Sequence, residues 1–242
     1  MRPRILFRDL RTGEFELDED NSHHLAKVLR AKAGDPLVIF DGQGREGQAV
    51  IVRTQKTATV VAVESIETIT RESPLKITVV QALCTGDKMD WVVQKSTELG
   101  AARIIPVAAG RSVMKLDALR AEKRREHWLA IAQAASAQCG RTVVPQVSPV
   151  MPFTDVISHW RSQSSPKTGW LLDPFANERL SNAPMQGEIT VMIGPEAGWT
   201  DEEETLAKFG GFKGVQLGPR ILRTETAAAV VLTAIAMRIG EF

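Results

Sequence analysis

The chain has 242 residues and a formal net charge of only +1, from 30 basic and 29 acidic side chains. That length allows one large domain or two small ones with a real core. Apolar and charged fractions of 43% and 24% are those of a soluble globular protein, not of a disordered or membrane-spanning one. A charge so near zero excludes a uniformly basic nucleic-acid binder, so any such role needs positive charge concentrated locally.

In chain order, residues 1–72 read as strands. The opening Met-Arg-Pro-Arg lacks the apolar core of a signal peptide, and the expected location is cytoplasmic. Residues 24–29 predict a short helical turn. Pro36–Phe40 and residues 48–53 and 57–63 are rich in Val, Ile and Thr and predict strands separated by turns. Between the first two, Gly42-Gln-Gly44-Arg-Glu-Gly47 matches the dinucleotide fingerprint, but a strand follows it where that motif needs a helix. A glycine-rich hairpin is the better reading. A small β-barrel over residues 1–72 follows, with a break at Arg71-Glu-Ser-Pro74.

From residue 73 to 242 the rhythm is α/β. Strands are expected at residues 76–83, 103–107 and 169–172, helices at 88–99 and 116–138, and an exposed loop at 162–167. Strands alternating with helices give a mainly parallel sheet with helices on both faces. Residues 111–141 carry Arg111, Lys115, Arg120, Lys123, Arg124, Arg125 and Arg141 against Asp117, Glu122 and Glu126, a local basic excess that suits RNA or, equally, a solvated helix face. Cys84 and Cys139 have no partner spacing and the histidines no metal spacing; reduced thiols and no metal are expected.

Two apolar runs near the end each stop at Gly-Pro: residues 189–198, ending Ile-Gly-Pro-Glu-Ala-Gly, and residues 215–226, Val-Gln-Leu-Gly-Pro-Arg-Ile-Leu-Arg-Thr-Glu-Thr. Each reads as a buried strand feeding a helix. Thr200-Asp-Glu-Glu203 is a capping box, and Thr224 is placed to cap a helix over 225–238. Two such loops make the crevice where ligands bind in open α/β sheets. Leu172, Ile193 and Leu222 supply apolar walls, and glycine lets a ligand approach the backbone. Residues 227–237 are apolar nearly all round, too short for a bilayer, and predict either an interface helix in a homodimer or burial against residues 88–99.

These two loops resemble the C-terminal motifs of the RsmE-type ribosomal RNA methyltransferases, of the SPOUT class. The likeness extends to GDKMDWVVQKSTELG (86–100), AQCGRTVVPQV (137–147) and HLAKVLR (24–30), and so covers nearly the whole chain in order. One departure is visible. The family usually reads Gly-Pro-Glu-Gly-Gly, and Ala197 here takes the first of the last two glycines, a place where a left-handed backbone would tolerate alanine poorly.

The resemblance implies a PUA-like RNA-binding barrel followed by a SPOUT domain with a trefoil-knotted C-terminal region, working as a homodimer. It implies S-adenosylmethionine-dependent methylation of N3 of a specific uridine in 16S ribosomal RNA of the small subunit. The alternatives are a related RNA 2′-oxygen or base methyltransferase, and a non-catalytic assembly factor. Gly194, Glu196, Gly198, Leu217 and Gly218 match the family's cofactor loops, and Leu222, Thr224 and Thr226 continue the second. A uracil anion is suited to a planar guanidinium fork, which selects Arg220 and Arg223, with Glu196 and Glu225 as candidate bases. The RNA-facing candidates are Arg2, Arg4, Arg8, His24, Arg30, Lys88, Lys95, Arg111 and Arg141. Aromatic residues are scarce and tyrosine absent, so recognition by RNA shape and phosphate is expected over stacking on a splayed base.

Overall fold

The computed structural model describes residues 2–55, 57–164 and 166–242. They form two compact units, one of Met1–Glu72 with Ser136–Val144, the other of Ser73–Ala135 with Pro145–Phe242.

The first unit is a five-stranded sheet in the order β1-β3-β4-β5-β2, with β1 Arg4–Leu6, β2 Gly13–Glu16, β3 Pro36–Phe40, β4 Arg45–Thr54 and β5 Thr59–Thr68. Only β1 and β3 run parallel. Strand alternation puts Leu37, Ile39, Ile51, Val61 and Val63 into one core with Phe15 and Leu25. The glycine-rich stretch is indeed a hairpin, with Gly42 and Gly44 at φ 77° and 113°. Helix α1, Glu19–His23, capped by Asp18, continues as a π-helical turn, His24–Val28.

Ser136–Val144 was expected in the second domain and groups instead with this unit, bridging to the hairpin after β3. Gly44 N donates to Thr142 O at 3.1 Å and Val144 N to Gly42 O at 3.1 Å. A buried ion network secures it. Glu46, 5% exposed, accepts from Arg4 at 2.9 Å and Arg71 at 3.0 Å, while Arg71 also donates to Gly140 O and Arg141 pairs with Glu72. The Arg71 hydrogen bond, against the upward push of burial and with help from Arg4, holds the Glu46 carboxyl below its ordinary range.

The second unit is a wholly parallel sheet, β12-β10-β11-β6-β7-β8, from β6 Ile77–Ala82, β7 Arg103–Ala108, β8 Gln146–Val147, β10 Lys167–Leu172, β11 Glu188–Ile193 and β12 Lys213–Val215; β9 Met151–Pro152 pairs with β7. Its central strands are continuous apolar runs, as burial on both faces requires. One face is covered by α4 Phe153–Ser162 and α5 Asp201–Phe209 over Val80, Leu171 and Met192. The other carries α2 Lys88–Glu98 and α6 Thr224–Arg238, which pack on each other. Helix α3, Ala118–Cys139, runs into the first unit's segment.

Three expectations change. Helix α4 was not foreseen, although Phe153, Val156, Ile157 and Trp160 carry helical spacing and are all buried. The loop expected at 162–167 starts after α4 ends, and its residue 165 lies outside the described residues. On α6, Val231 and Ile235 are fully buried, so neither can face a second copy; only Val230 and Met237 remain exposed on that helix's apolar surface. Among the described residues no helix is long and apolar enough to cross a membrane.

Candidate active site

Both Gly-Pro loops leave the same end of the parallel sheet, where β11 and β12 stop, and together with the end of β10 they enclose a crevice of about 630 Å³. Leu172, Ile193, Gly194, Glu196, Gly198, Leu217, Gly218, Leu222 and Thr224 line it, as do Arg220 and Arg223. Lys88 and Arg111, expected to face RNA, line it too.

The first loop is tied on every side. Thr200 accepts from Glu203 N and Glu203 from Thr200 N at 2.9 Å, so the predicted capping box forms; Glu203 also accepts from Gly110 N at 2.8 Å. Glu196 accepts from Lys88 Nζ at 2.7 Å and from Thr85 Oγ1 at 3.3 Å. Burial pushes the Glu196 carboxyl up, but the Lys88 and backbone hydrogen bonds outweigh it and leave the carboxyl below its ordinary range; Lys88 is raised in return. Such a carboxylate is a poor proton acceptor. The left-handed position falls at Gly198, φ 73°, and Ala197 has no positive φ, so the departure at Ala197 costs the loop nothing.

Thr224 does not cap α6. Arg223 takes the N-cap position, with no side-chain cap bond. The Thr224 hydroxyl instead donates to Gly194 O at 2.6 Å and accepts from buried Gln81 Nε2 at 2.8 Å, tying β6, the first loop and α6 together. Glu225 and Thr226 lie outside the crevice lining, because successive helix residues turn by about 100°. Glu225 leaves one carboxylate oxygen buried without a hydrogen-bond partner, and Arg223 makes no ion pair with it. Burial, then Glu196 and Glu225, push the Cys84 thiol up to about 12, so it stays protonated.

A profile of the RNA methyltransferase domain matches residues 71–236, and one of the RNA methyltransferase PUA domain matches residues 17–63. The Bacillus subtilis ribosomal RNA small subunit methyltransferase E is 34% identical over 230 residues, covering 91% of this chain and 89% of its own. The chain belongs to the ribosomal RNA small subunit methyltransferase E family. A family member from Neisseria gonorrhoeae, solved bound to S-adenosylmethionine, superposes with a TM-score of 0.91 at 34% identity and covers 98% of both chains. A Legionella pneumophila protein solved with the same cofactor superposes at 0.92, with 33% identity and 98% of both chains covered.

Within this family member the expected RNA contacts divide. Arg8, His24 and Arg30 are exposed; Arg30 takes φ 53°, the one non-glycine positive φ among the described residues. Arg2 is exposed and donates to Gln48 at 3.0 Å. Lys95 is paired with Glu98 at 2.9 Å. Arg4 and Arg141 must be withdrawn from the list. Arg141 is 4% exposed and Arg4 is held by Glu46, so neither guanidinium can reach a phosphate without breaking a buried pair. Sequence reading missed Gln81, Asp173, Phe175 and Trp199, which belong to no motif it used, and gave no role to Ile221 within the second loop. Trp199 is buried beneath Gly194, where an added Cβ would stand 3.2 Å from its indole nitrogen.

Proposed function

We propose that this chain transfers a methyl group from S-adenosylmethionine to N3 of a uridine in 16S ribosomal RNA of the small subunit, as a cytoplasmic homodimer with a knotted C-terminal region. The observation that carries the reading is the single crevice in which both Gly-Pro loops meet at strand ends. The residues fit the cofactor. A Cβ on Gly218 would meet no protein atom within 4 Å, so the space beside it is open for a ligand. Leu172, Ile193, Leu217 and Leu222 offer apolar walls, and Gly194, Gly198 and Gly218 offer close backbone approach. When bound, the cofactor supplies an electrophilic methyl group on a sulfonium.

The chain's part is to hold the base and its charge. Arg220 and Arg223 are exposed at the crevice and enter no ion pair among the described residues. Their forks suit the two carbonyl oxygens that flank N3 and gain charge when its proton leaves to solvent. Glu196, tied to Lys88, suits loop positioning rather than proton abstraction, and Glu225 stands outside the lining. Exposed Arg2, Arg8, His24 and Arg30 support RNA positioning by the first unit. The knotted path is a reading from membership of the family; residues 178–183 bond on one side to Gln216 and on the other to Arg238 of α6. Exposed Val230 and Met237 support pairing through α6.

Mass spectrometry of 16S ribosomal RNA from cells lacking this protein tests the reaction: one methyl on uridine N3 should be missing. A missing 2′-oxygen methyl would favour the related-enzyme reading. Calorimetry on Gly218→Val tests the site. Cofactor affinity should fall on the order of a hundredfold, about 2.7 kcal/mol, with circular dichroism unchanged; unaltered affinity would move the cofactor elsewhere.

A further inference from the structure

Phe175 is 82% exposed, the most exposed large apolar side chain among the described residues, and it lines the crevice. It is not loosely held. Its backbone N–H donates to Asp173 Oδ1 at 2.8 Å, Ala176 N to Asp173 O at 3.2 Å, and Asp173 N to Val215 O at 3.0 Å. Pro174 fixes one more dihedral between them. The turn is built, and it holds an aromatic ring out into solvent. Ile221, 71% exposed, lines the same crevice and stands in the chain between Arg220 and Arg223. Of the other rings of this unit, Trp128, Trp160, Trp170 and Trp199 are buried, and the exposed Trp91, Phe209 and Phe242 lie outside the crevice, Phe209 under the Arg161 guanidinium at 5.3 Å.

We propose that Phe175 is the stacking platform for the target base, with Ile221 as the opposing apolar contact. The inference rests on the methyltransferase reading above. A ring nitrogen inside a stack is out of reach of the crevice, so the base must leave its neighbours. Each base taken out loses a stacking face, and a protein aromatic ring restores it whatever the base is. Exposed apolar side chains on the crevice, with two guanidiniums that enter no ion pair among the described residues, match a nucleobase carried on an anionic backbone. A second copy of the chain is the poorer occupant, because a partner of net charge +1 brings no excess of anionic groups to two guanidiniums, whereas an RNA backbone does. Aromatic scarcity in the sequence argues against a splayed base; among the described residues the fold nevertheless puts one exposed aromatic ring, Phe175, on the crevice.

The test uses full-length protein and small subunits lacking the methyl group. Phe175→Ala should lower kcat/KM for subunits on the order of ten- to hundredfold, while calorimetric affinity for S-adenosylmethionine and the melting temperature stay at wild-type values. Phe175→Tyr should keep activity within about threefold, and Phe175→Leu should fail like Phe175→Ala, since leucine restores apolar area without a π face. Unchanged activity in Phe175→Ala overturns the proposal. So does Phe175→Leu at wild-type rate, or a dimer-to-monomer change of Phe175→Ala in light scattering, which would give the ring to an interface between copies. Wild-type protein that binds the cofactor but methylates no RNA overturns the underlying reading instead, and this inference with it.

Discussion

The two Gly-Pro loops are near twins in sequence and opposites in how they are held. In the first, Glu196 is bound to Lys88 and Thr85, Gly194 O to Thr224, and the following helix starts on a closed capping box. In the second, Arg220, Ile221 and Arg223 project from the chain into solvent, and neither arginine has an ion-pair partner among the described residues. One loop spends its side chains on its own shape. The other leaves them for something outside the protein. A rigid surface suits a small ligand that recurs in every turnover, and unspent cations suit a large polyanion.

Breaking the held loop should cost the most. Thr224→Val keeps the volume but removes the hydroxyl shared by Gly194 O and Gln81 Nε2, so that Gly194 O loses its donor and buried Gln81 Nε2 keeps only Ala82 O. The expected loss is about 2–3 kcal/mol, or roughly 5–10 °C in melting temperature, with weaker cofactor binding. A melting point near wild type would mean that the tie between the loops carries no load. The free loop should behave in the reverse way. Arg223→Lys keeps the charge and loses the planar fork, so turnover should drop about tenfold with the melting temperature unmoved. Turnover near wild type, in a protein that methylates subunits, would reduce Arg223 to bulk charge.

The smallest effect separates the loops by pH. Glu196 titrates below its ordinary 4.5 in the fold, so its contribution is present above that value and fades as pH falls through the lowered one. Lys88 titrates above its ordinary 10.5, so its share is present below that value and fades as pH rises through the raised one. The stability gap between wild type and Glu196→Gln should therefore be flat across neutral pH and close below about 4.5. A gap that persists into strong acid would assign it to packing rather than to charge.

Much of the fold could be read from local pattern. The strand Pro36–Phe40, the capping box at Thr200 and the glycine hairpin after β3 each follow from short-range chemistry. What escaped depends on the partner, not on the residue. A threonine at a helix start reads as a cap, yet the Thr224 hydroxyl is claimed by a carbonyl thirty residues away. A helix apolar all round reads equally as interface or interior, and packing against α2 decides for Val231 and Ile235. Arg141 sits in a basic run, but Glu72 holds it inside. Phe175 belongs to no motif, and only the crevice beside it gives its exposure meaning.

That Ser136–Val144 packs with the first unit has a consequence for biosynthesis. When Glu72 leaves the ribosome, the strands that precede it are all made, but the segment that receives Gly44 and Arg71 is not yet translated. At roughly 5–20 residues per second, the nascent chain carries an unfinished domain for several seconds. During that interval Glu46 and its arginines are closed on one side only. Native contacts of the N-terminal domain to Gly140, Thr142 and Val144 therefore form only after residues 136–144 have been made.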